Sequence, residues 1–377
     1  MYYLRKISFV IFYLIIAVFL TVSCNNTVKN NKIDVAVFGG SGASSVCILE
    51  TMEALKIDTE IKALVIQSYQ IQNGELDNFD VLIFPGGSGS KELNNIGKAV
   101  VYQVKNFAKK RGKGIVGICA GGYLLSTTPG YPSLEIISAR ETDRKHYNRG
   151  RGLVEIELTK KGLEIFPELI NQSLFLQYYD GPVLTPNGSE KAYNELATFK
   201  TDIHPDDFAP KGITPGKTFM LEEKYGEGII MTVAGHPEST PGMRWIVARM
   251  VRKTAGLELV SYNKKWIRPE INDSSIVFDA NLRKIEKDNF WKLFDDSSNI
   301  QIKAMDNLHK LRSRPAVRYN IGLLRDINPE IRKHAAYLLR KTEYTSALND
   351  LKQALKCEKD SSVITEIKKT IDFMTNF

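Results

Sequence analysis

Residues 114 to 123 read Gly-Ile-Val-Gly-Ile-Cys-Ala-Gly-Gly-Tyr, and this stretch decides the fold. Its first half is a short apolar run typical of a buried strand, and a helical pattern begins at Ala120. Cys119 therefore lies on a tight turn, where flanking glycines permit a strained backbone. The positive end of a helix favours a thiolate, which indicates a nucleophile. For this pattern alone, a buried structural cysteine is the alternative.

A second motif follows much later in the chain. Residues 228 to 238 read Gly-Ile-Ile-Met-Thr-Val-Ala-Gly-His-Pro-Glu, which predicts a strand over 229–233 and then a loop. A cysteine nucleophile needs a base, and that base needs a third group to fix its tautomer. His236 and Glu238 can supply both functions, although a His-x-Glu pattern alone is common.

A third motif, Phe-Pro-Gly-Gly-Ser-Gly at residues 84 to 89, ends the strand predicted over 80–84. Along the chain the glycine loop comes first, the Cys119 turn second and His-Pro-Glu third. In that order the three motifs resemble the class I glutamine amidotransferase-like superfamily, most closely the amidotransferase-like domain at the N-terminus of some biotin–protein ligases. The resemblance covers roughly residues 33 to 257. It implies a flavodoxin-like three-layer α/β sandwich with a mostly parallel sheet. It also implies a triad of Cys119, His236 and Glu238.

The resemblance further implies how the nucleophile is surrounded. Attack on an amide carbonyl creates an oxyanion, which preorganised backbone N–H groups stabilise; here Gly86 or Gly87 would act together with Ala120. The loop after the first strand lies at the sheet edge where doubly wound folds bind ligands. An aromatic-rich turn is the alternative for residues 178–182. The residues expected to line the substrate pocket are Gly40, Ser41, Tyr123, Tyr179 and Asp180.

Specificity and cofactors are constrained by departures from known patterns. Many glutamine-hydrolysing members have Gln four residues after the cysteine, whereas this chain has Tyr123, so glutaminase activity is not expected. Residues 39–45 lack the G-x-G-x-x-G spacing of a dinucleotide site. Residues 148–152 faintly resemble the nucleotide loop of a biotin ligase, but the rest of a ligase catalytic domain is missing. We expect no cofactor and no metal.

The N-terminus has the pattern of an export signal. Arg5 and Lys6 precede an apolar run over 7–20. Leu-Thr-Val-Ser-Cys at residues 20 to 24 then resembles a bacterial lipobox. Its one departure is Thr21, which stands where a larger aliphatic residue is preferred. These features predict a signal peptide over 1–23, a lipid on Cys24 and a polar tether over 24–32. The protein would then be lipid-anchored in the cell envelope, outside the cytoplasm. A plain transmembrane anchor is the alternative, although the run is slightly short for a full span.

Composition excludes several other classes. The four cysteines are widely separated and have no C-x-x-C or His partners at metal spacing, so neither a disulfide framework nor a zinc site is indicated. The net charge is +8, but basic and acidic residues are interleaved and no aromatic-basic motif appears, so no nucleic-acid partner is expected. Anionic lipid headgroups would attract such a surface.

The last third of the chain changes character. We predict a linker and helical connection over 258–295 and a smaller all-α domain over 296–377, where apolar residues recur with a period of about thirty. Such a period is typical of HEAT-like α-solenoid repeats, with an ordinary helical bundle as the alternative. This region would bind a protein partner or pack against the first domain. The three matched sets are Ile300, Ala304 and Leu308; Ile331, Ala335 and Leu339; and Val363, Ile367 and Ile371.

Two hypotheses from different classes follow. In the first, the protein is an envelope-anchored cysteine-dependent hydrolase that acts on a small amide or peptide-like substrate. In the second, the α/β domain is a catalytically idle binding module, and the lipoprotein is a scaffold that acts through its helical tail.

Overall fold

The structure, a computed structural model, describes residues 32–188, 192–205 and 208–375. The predicted signal peptide, the lipid site at Cys24 and all of the tether except Lys32 lie outside the described residues. Among the helices described, none combines the length and the apolar character that crossing a bilayer would require.

A twelve-stranded mixed sheet forms the centre of the molecule, with the main order β12-β6-β9-β10-β11-β4-β3-β1-β2. The strands are β1 (Ile33–Phe38), β2 (Ile61–Ile66), β3 (Val81–Phe84), β4 (Gly114–Ile118), β5 (Ala139–Glu141), β6 (Arg151–Leu158), β7 (Leu174–Tyr179), β8 (Leu184–Pro186), β9 (Asn194–Phe199), β10 (Thr218–Tyr225), β11 (Gly228–Val233) and β12 (Ile276–Val277). Neighbours from β2 through β11 are parallel. Beyond β11 the pairing is antiparallel.

The parallel part of the sheet is apolar because it is covered on both faces. Every residue of β3 and of β4 is buried. One hydrophobic core lies on each face of the sheet, and a third lies among the C-terminal helices. The predicted α/β class with a following all-helical region is confirmed, and the parallel strands occupy the part of the sheet from which Cys119 emerges.

Helices flank the sheet and then continue as the C-terminal region. They are α1 (Ser45–Leu55), α2 (Ser68–Gln72), α3 (Gly89–Ile96), α4 (Lys98–Ala108), α5 (Ala120–Leu125), α6 (Lys160–Ile165), α7 (Trp245–Thr254), α8 (Ala280–Lys292), α9 (Ser298–Lys310), α10 (Ala316–Leu323), α11 (Pro329–Lys341), α12 (Leu348–Cys357) and α13 (Ser361–Thr375). Short 3-10 helices occur at Glu75–Asn78, Arg144–His146, Pro167–Leu169, Pro237–Ser239, Pro269–Ile271 and Thr345–Ala347.

The crossover between β3 and β4 consists of two helices, α3 and α4. The break falls at Gly97, whose φ of 83° is strained for residues that carry a Cβ. The chain therefore turns between α3 and α4 before it returns to the sheet.

The C-terminal helices pack against the sheet domain, and residues from Ile33 onward form one compact unit. Polar groups fix this contact: the Gly242 amide donates to Glu343 Oε2 at 3.0 Å, and Arg268 forms an ion pair with the same carboxylate. Inside the region, α11 and α13 contribute their apolar faces to one core. Ala304 and Leu308 of the first matched set belong to the same core, whereas Ile300 is 41% exposed. HEAT-like repeats and the domain limits at 258 and 296 stay predictions.

Candidate active site

Cys119 lies on a strained turn between β4 and α5. Its φ of 52° and ψ of −106° are unfavourable for a residue with a side chain, and such strain is often concentrated at functional sites. The turn is held by a hydrogen bond from the Cys119 amide to the Val233 carbonyl at 2.9 Å. Glycine is required beside it, because a Cβ at Gly121 would lie 2.3 Å from the Phe84 carbonyl oxygen. The thiol is 5% exposed, and its sulfur lies 3.4 Å from the Tyr179 carbonyl oxygen, to which it donates.

His236 follows β11, the strand next to β4. These strands are parallel, and Val233 is in register with Ile118, so Cys119 and His236 leave the same edge of the sheet. The His236 amide donates to the Gln177 carbonyl at 2.7 Å. Its Nδ1 lies 2.7 Å from Glu238 Oε1, which orients the ring and leaves Nε2 for other partners.

The charge of His236 is set by its neighbours. Burial disfavours the protonated ring, but the negative charges of Cys119 and Glu238 outweigh burial and the nearby Arg314, so the pKa of His236 is raised well above its ordinary value of 6.5. The structure thus brings together the three residues that the sequence suggested as a triad.

Two further residues belong to the site and were not predicted. Cys47 on α1 is 4% exposed; its pKa is lowered because His236 and Arg314 outweigh the effect of burial. Arg314, from the turn before α10, donates to Cys47 Sγ at 3.3 Å and forms an ion pair with Glu50. The same guanidinium lies 3.7 Å from Glu238 Oε1.

Cys47, His236 and Glu238 also have donor atoms within 4.8 Å of one another, which is close enough to consider a metal ion. However, His236 Nδ1 is already paired with Glu238, and the Arg314 cation lies against both the sulfur and the carboxylate. A divalent cation at this point would be repelled by the guanidinium. The group fits a charge-paired catalytic site better than a metal site.

Comparison with known proteins bears on the first part of the chain. The family model described as "Biotin-protein ligase, N terminal" matches residues 33–256, more than half of the sequence. The chain belongs to this family. No curated protein matches the sequence.

Several solved structures are distantly similar to this member of the biotin-protein ligase N-terminal family. A protein from Parabacteroides merdae described as thua-like is 10% identical, with a TM-score of 0.45 over 63% of this chain and 99% of that one. A β-galactosidase from Bacillus circulans sp. alkalophilus is 16% identical, with a TM-score of 0.37 over 60% of this chain. This chain spans 32% of that enzyme. At these TM-scores the similarities carry no functional argument.

Two cavities meet at Cys119 of the biotin-protein ligase N-terminal domain, and Gly87 and Tyr179 also line both. The smaller, about 300 Å³, contains Cys47, His236, Arg314 and Arg318 among its walls. The larger, about 760 Å³, is bordered by four tyrosines and by Lys91, Arg144 and Asp180. The tyrosines are Tyr123, Tyr131, Tyr147 and Tyr179.

The glycine loop after β3 closes the site from one side. Ala120 also borders the larger cavity, and as the first residue of α5 its amide has no carbonyl partner within the helix. A Cβ at Gly86 would lie 2.8 Å from both Cys47 Sγ and His236 Cε1.

Behind the loop, Glu92 is fully buried, and among the described residues neither carboxylate oxygen has a hydrogen-bond partner. Burial, and after it the charge of Cys47, raises the pKa of Glu92 to about 8.

The predicted pocket walls are only partly in place. Tyr123, Tyr179 and Asp180 border the larger cavity. Gly40 and Ser41 are not among the walls of either cavity: Gly40 packs against the Phe38 ring, and Ser41 is exposed. The later part of the same loop, from Ser44 to Cys47, reaches the smaller cavity instead. The position of Cys47 near the start of a helix at the ligand-binding edge could have marked it in the sequence, whereas nothing local marks Arg314.

Proposed function

We propose that the protein is a cysteine-dependent hydrolase that acts on an amide or peptide-like bond. The observation that carries the proposal is the strained Cys119 turn facing a buried, Glu238-oriented His236 across a cavity. Membership of the biotin-protein ligase N-terminal family supports an amidotransferase-like fold, and the specific reaction is the proposed part.

In the proposed reaction, His236 takes the proton from Cys119, and the sulfur attacks the substrate carbonyl carbon. The oxyanion that forms is stabilised by the backbone amides of Gly87 and Ala120. His236 then delivers its proton to the leaving nitrogen as the C–N bond breaks, which leaves a thioester on Cys119. A water molecule, deprotonated by His236, attacks the thioester and releases the acid.

A chromogenic ester tests this reaction without knowledge of the natural substrate. With p-nitrophenyl acetate, we expect rapid release of nitrophenolate and an acetyl group on the peptide that contains Cys119, detected by mass spectrometry. Cys119→Ser should abolish both signals, while Cys357→Ser, at an exposed position, should change neither. Unchanged release from Cys119→Ser would contradict the proposal.

The alternative, in which the α/β domain is a catalytically idle binding module, is favoured by one observation. The helical region covers the site and places Arg314 against Cys47. In that case the acetyl adduct would form at Cys119 no faster than at Cys357. A protein partner for the helical region is proposed as well, since Trp291 and Phe294, in the connection that leads into this region, are each 70% exposed.

The cell-envelope location and the lipid on Cys24 are also proposals, supported by the sequence of residues 1–24. Metabolic labelling with a fatty acid should mark the wild-type chain and not Cys24→Ser. A wild-type chain that takes up no lipid and fractionates away from membranes would contradict both.

A further inference from the structure

The smaller cavity beside Cys119 has a cationic wall that the helical region supplies. Arg314 and Arg318 both border it, and its other walls include Ser44, Val46 and Pro315. No Asp or Glu borders this cavity among the described residues. Arginine side chains recognise carboxylates and phosphates through a planar fork of donors.

The two arginines differ in how far their charges are already offset. Arg314 pairs with Glu50 and lies 3.7 Å from Glu238, so two carboxylates face its guanidinium. Arg318, on the exposed side of α10, makes no ion pair or side-chain hydrogen bond with the part of the chain that the structure describes. Because Arg314 neutralises the buried acids, the charge of Arg318 remains available to a ligand in the cavity.

The larger cavity on the other side of Cys119 has a different chemistry. Its tyrosines include Tyr123 and Tyr131, whose ring centroids are 5.7 Å apart, and Arg144 lies over the second of these rings. A molecule whose scissile carbonyl sits at Cys119 would therefore place a small part near Arg318 and a larger part among the tyrosines.

We propose that the cavity between Cys119 and Arg318 is a carboxylate subsite, so that the amides this protein acts on carry a carboxylate close to the scissile bond. The inference rests on the proposed hydrolase function and adds a substrate class to it. A single unpaired guanidinium in a small cavity matches the single charge of a carboxylate, whereas a phosphate dianion would call for more donors. The helical region then determines specificity as well as covering the site.

Two alkylating reagents of nearly equal size test the subsite in the full chain. Iodoacetate carries a carboxylate and iodoacetamide does not, and both form a thioether with a cysteine sulfur while iodide leaves. Rates are measured separately for each cysteine by peptide mapping, and exposed Cys357 serves as the internal reference. Relative to Cys357, we expect the iodoacetate-to-iodoacetamide rate ratio at Cys119 to be about tenfold higher, as one charge-assisted contact would give.

Variants of two exposed arginines show whether Arg318 causes the preference of Cys119 for iodoacetate. Arg318→Gln should remove most of the preference, and Arg318→Lys should retain part of it because the charge persists. Arg325→Gln is the matched control, since Arg325 is an exposed arginine of the same region whose partner, Asp350, lies 3.6 Å away. Acetate should protect Cys119 from iodoacetate, and protection by inorganic phosphate but not acetate would overturn the carboxylate assignment.

The outcomes separate the two proposals. If iodoacetamide labels Cys119 rapidly but iodoacetate shows no preference, or if Arg318→Gln leaves the preference intact, the carboxylate subsite is wrong while the nucleophile stands. If Cys119 reacts with neither reagent faster than Cys357 does, both proposals are overturned.

Discussion

The Arg314 guanidinium donates a hydrogen bond to the Cys47 sulfur at 3.3 Å, and this contact joins the turn before α10 to the first helix of the family domain. The turn is anchored on both sides. Gln177 Nε2 donates to the Arg312 carbonyl at 3.1 Å, and Ser313 Oγ donates to Glu286 Oε1 at 2.6 Å. The cation is therefore held in place by several contacts across the interface between the helical region and the sheet.

Replacing Arg314 should cost substantial stability. Arg314→Met leaves Glu50 buried without its ion-pair partner and Glu238 with His236 alone, and removing one partner of a buried ion pair typically lowers the free energy of unfolding by about 3 to 5 kcal/mol. Urea denaturation measures the change. Arg325→Met, which removes an exposed ion pair, should change the free energy of unfolding by less than about 0.5 kcal/mol. Equal effects of the two variants would show that the buried contact is not stabilising.

The raised pKa of His236 predicts a pH dependence. Because the folded-state pKa lies above the ordinary value of 6.5, the stability from this group is fully present below pH 6.5 and is lost as pH rises through the folded-state pKa. Glu238→Gln removes one of the anions that raise this pKa, so the loss should begin at a lower pH. An NMR titration of His236 and the melting temperature as a function of pH check this directly. A titration curve that Glu238→Gln does not move would refute the assignment.

Gly86 leaves space for the two groups on which the site depends. In Gly86→Ala, the new methyl group would lie 2.8 Å from Cys47 Sγ and from His236 Cε1, so both buried side chains must shift. We expect at least about a tenfold loss in the rate of Cys119 alkylation and about 1 to 3 kcal/mol of lost stability. Gly322→Ala is the control, since no atom lies within 4 Å of its added Cβ. An unaltered alkylation rate in Gly86→Ala would argue against this geometry.

The buried Glu92 should make the protein less stable as pH rises. Its folded-state pKa of about 8 exceeds the ordinary value of 4.5, so the unfolded chain ionises first and stability falls between these pH values. Glu92→Gln should therefore be more stable than the wild type at pH 8, on the order of a few kcal/mol, and this advantage should vanish below pH 4.5. Melting temperatures across this range test it. Glu227→Gln, at an exposed position, should show no such trend.

Local patterns predicted the parallel half of the fold well. The strand over Gly114–Ile118 and the turn at Cys119 follow from a short apolar run and flanking glycines, which are properties of neighbouring residues. The helix after the His236 loop begins only at Trp245. Gly242 has a φ of 74° and donates its amide to Glu343, which is incompatible with a helix at that point.

The parts that the sequence did not predict depend on distant contacts. Cys47 and Arg314 enter the site because helices far apart in the chain pack together, and no spacing or motif records that packing. The motif residues Cys119 and His236 were easier to identify, since adjacent parallel strands must end at one edge of a sheet.

A truncated chain that stops at residue 256 would retain every residue of the matched family domain and still lack part of the proposed site. It would keep Cys47, Glu50 and Glu238 but lose the guanidinium that faces them. Restoring the missing cation would require the helical segment as a second polypeptide, in a one-to-one complex. The two halves of this chain are therefore expected to be inherited together, because neither supplies a finished site without the other.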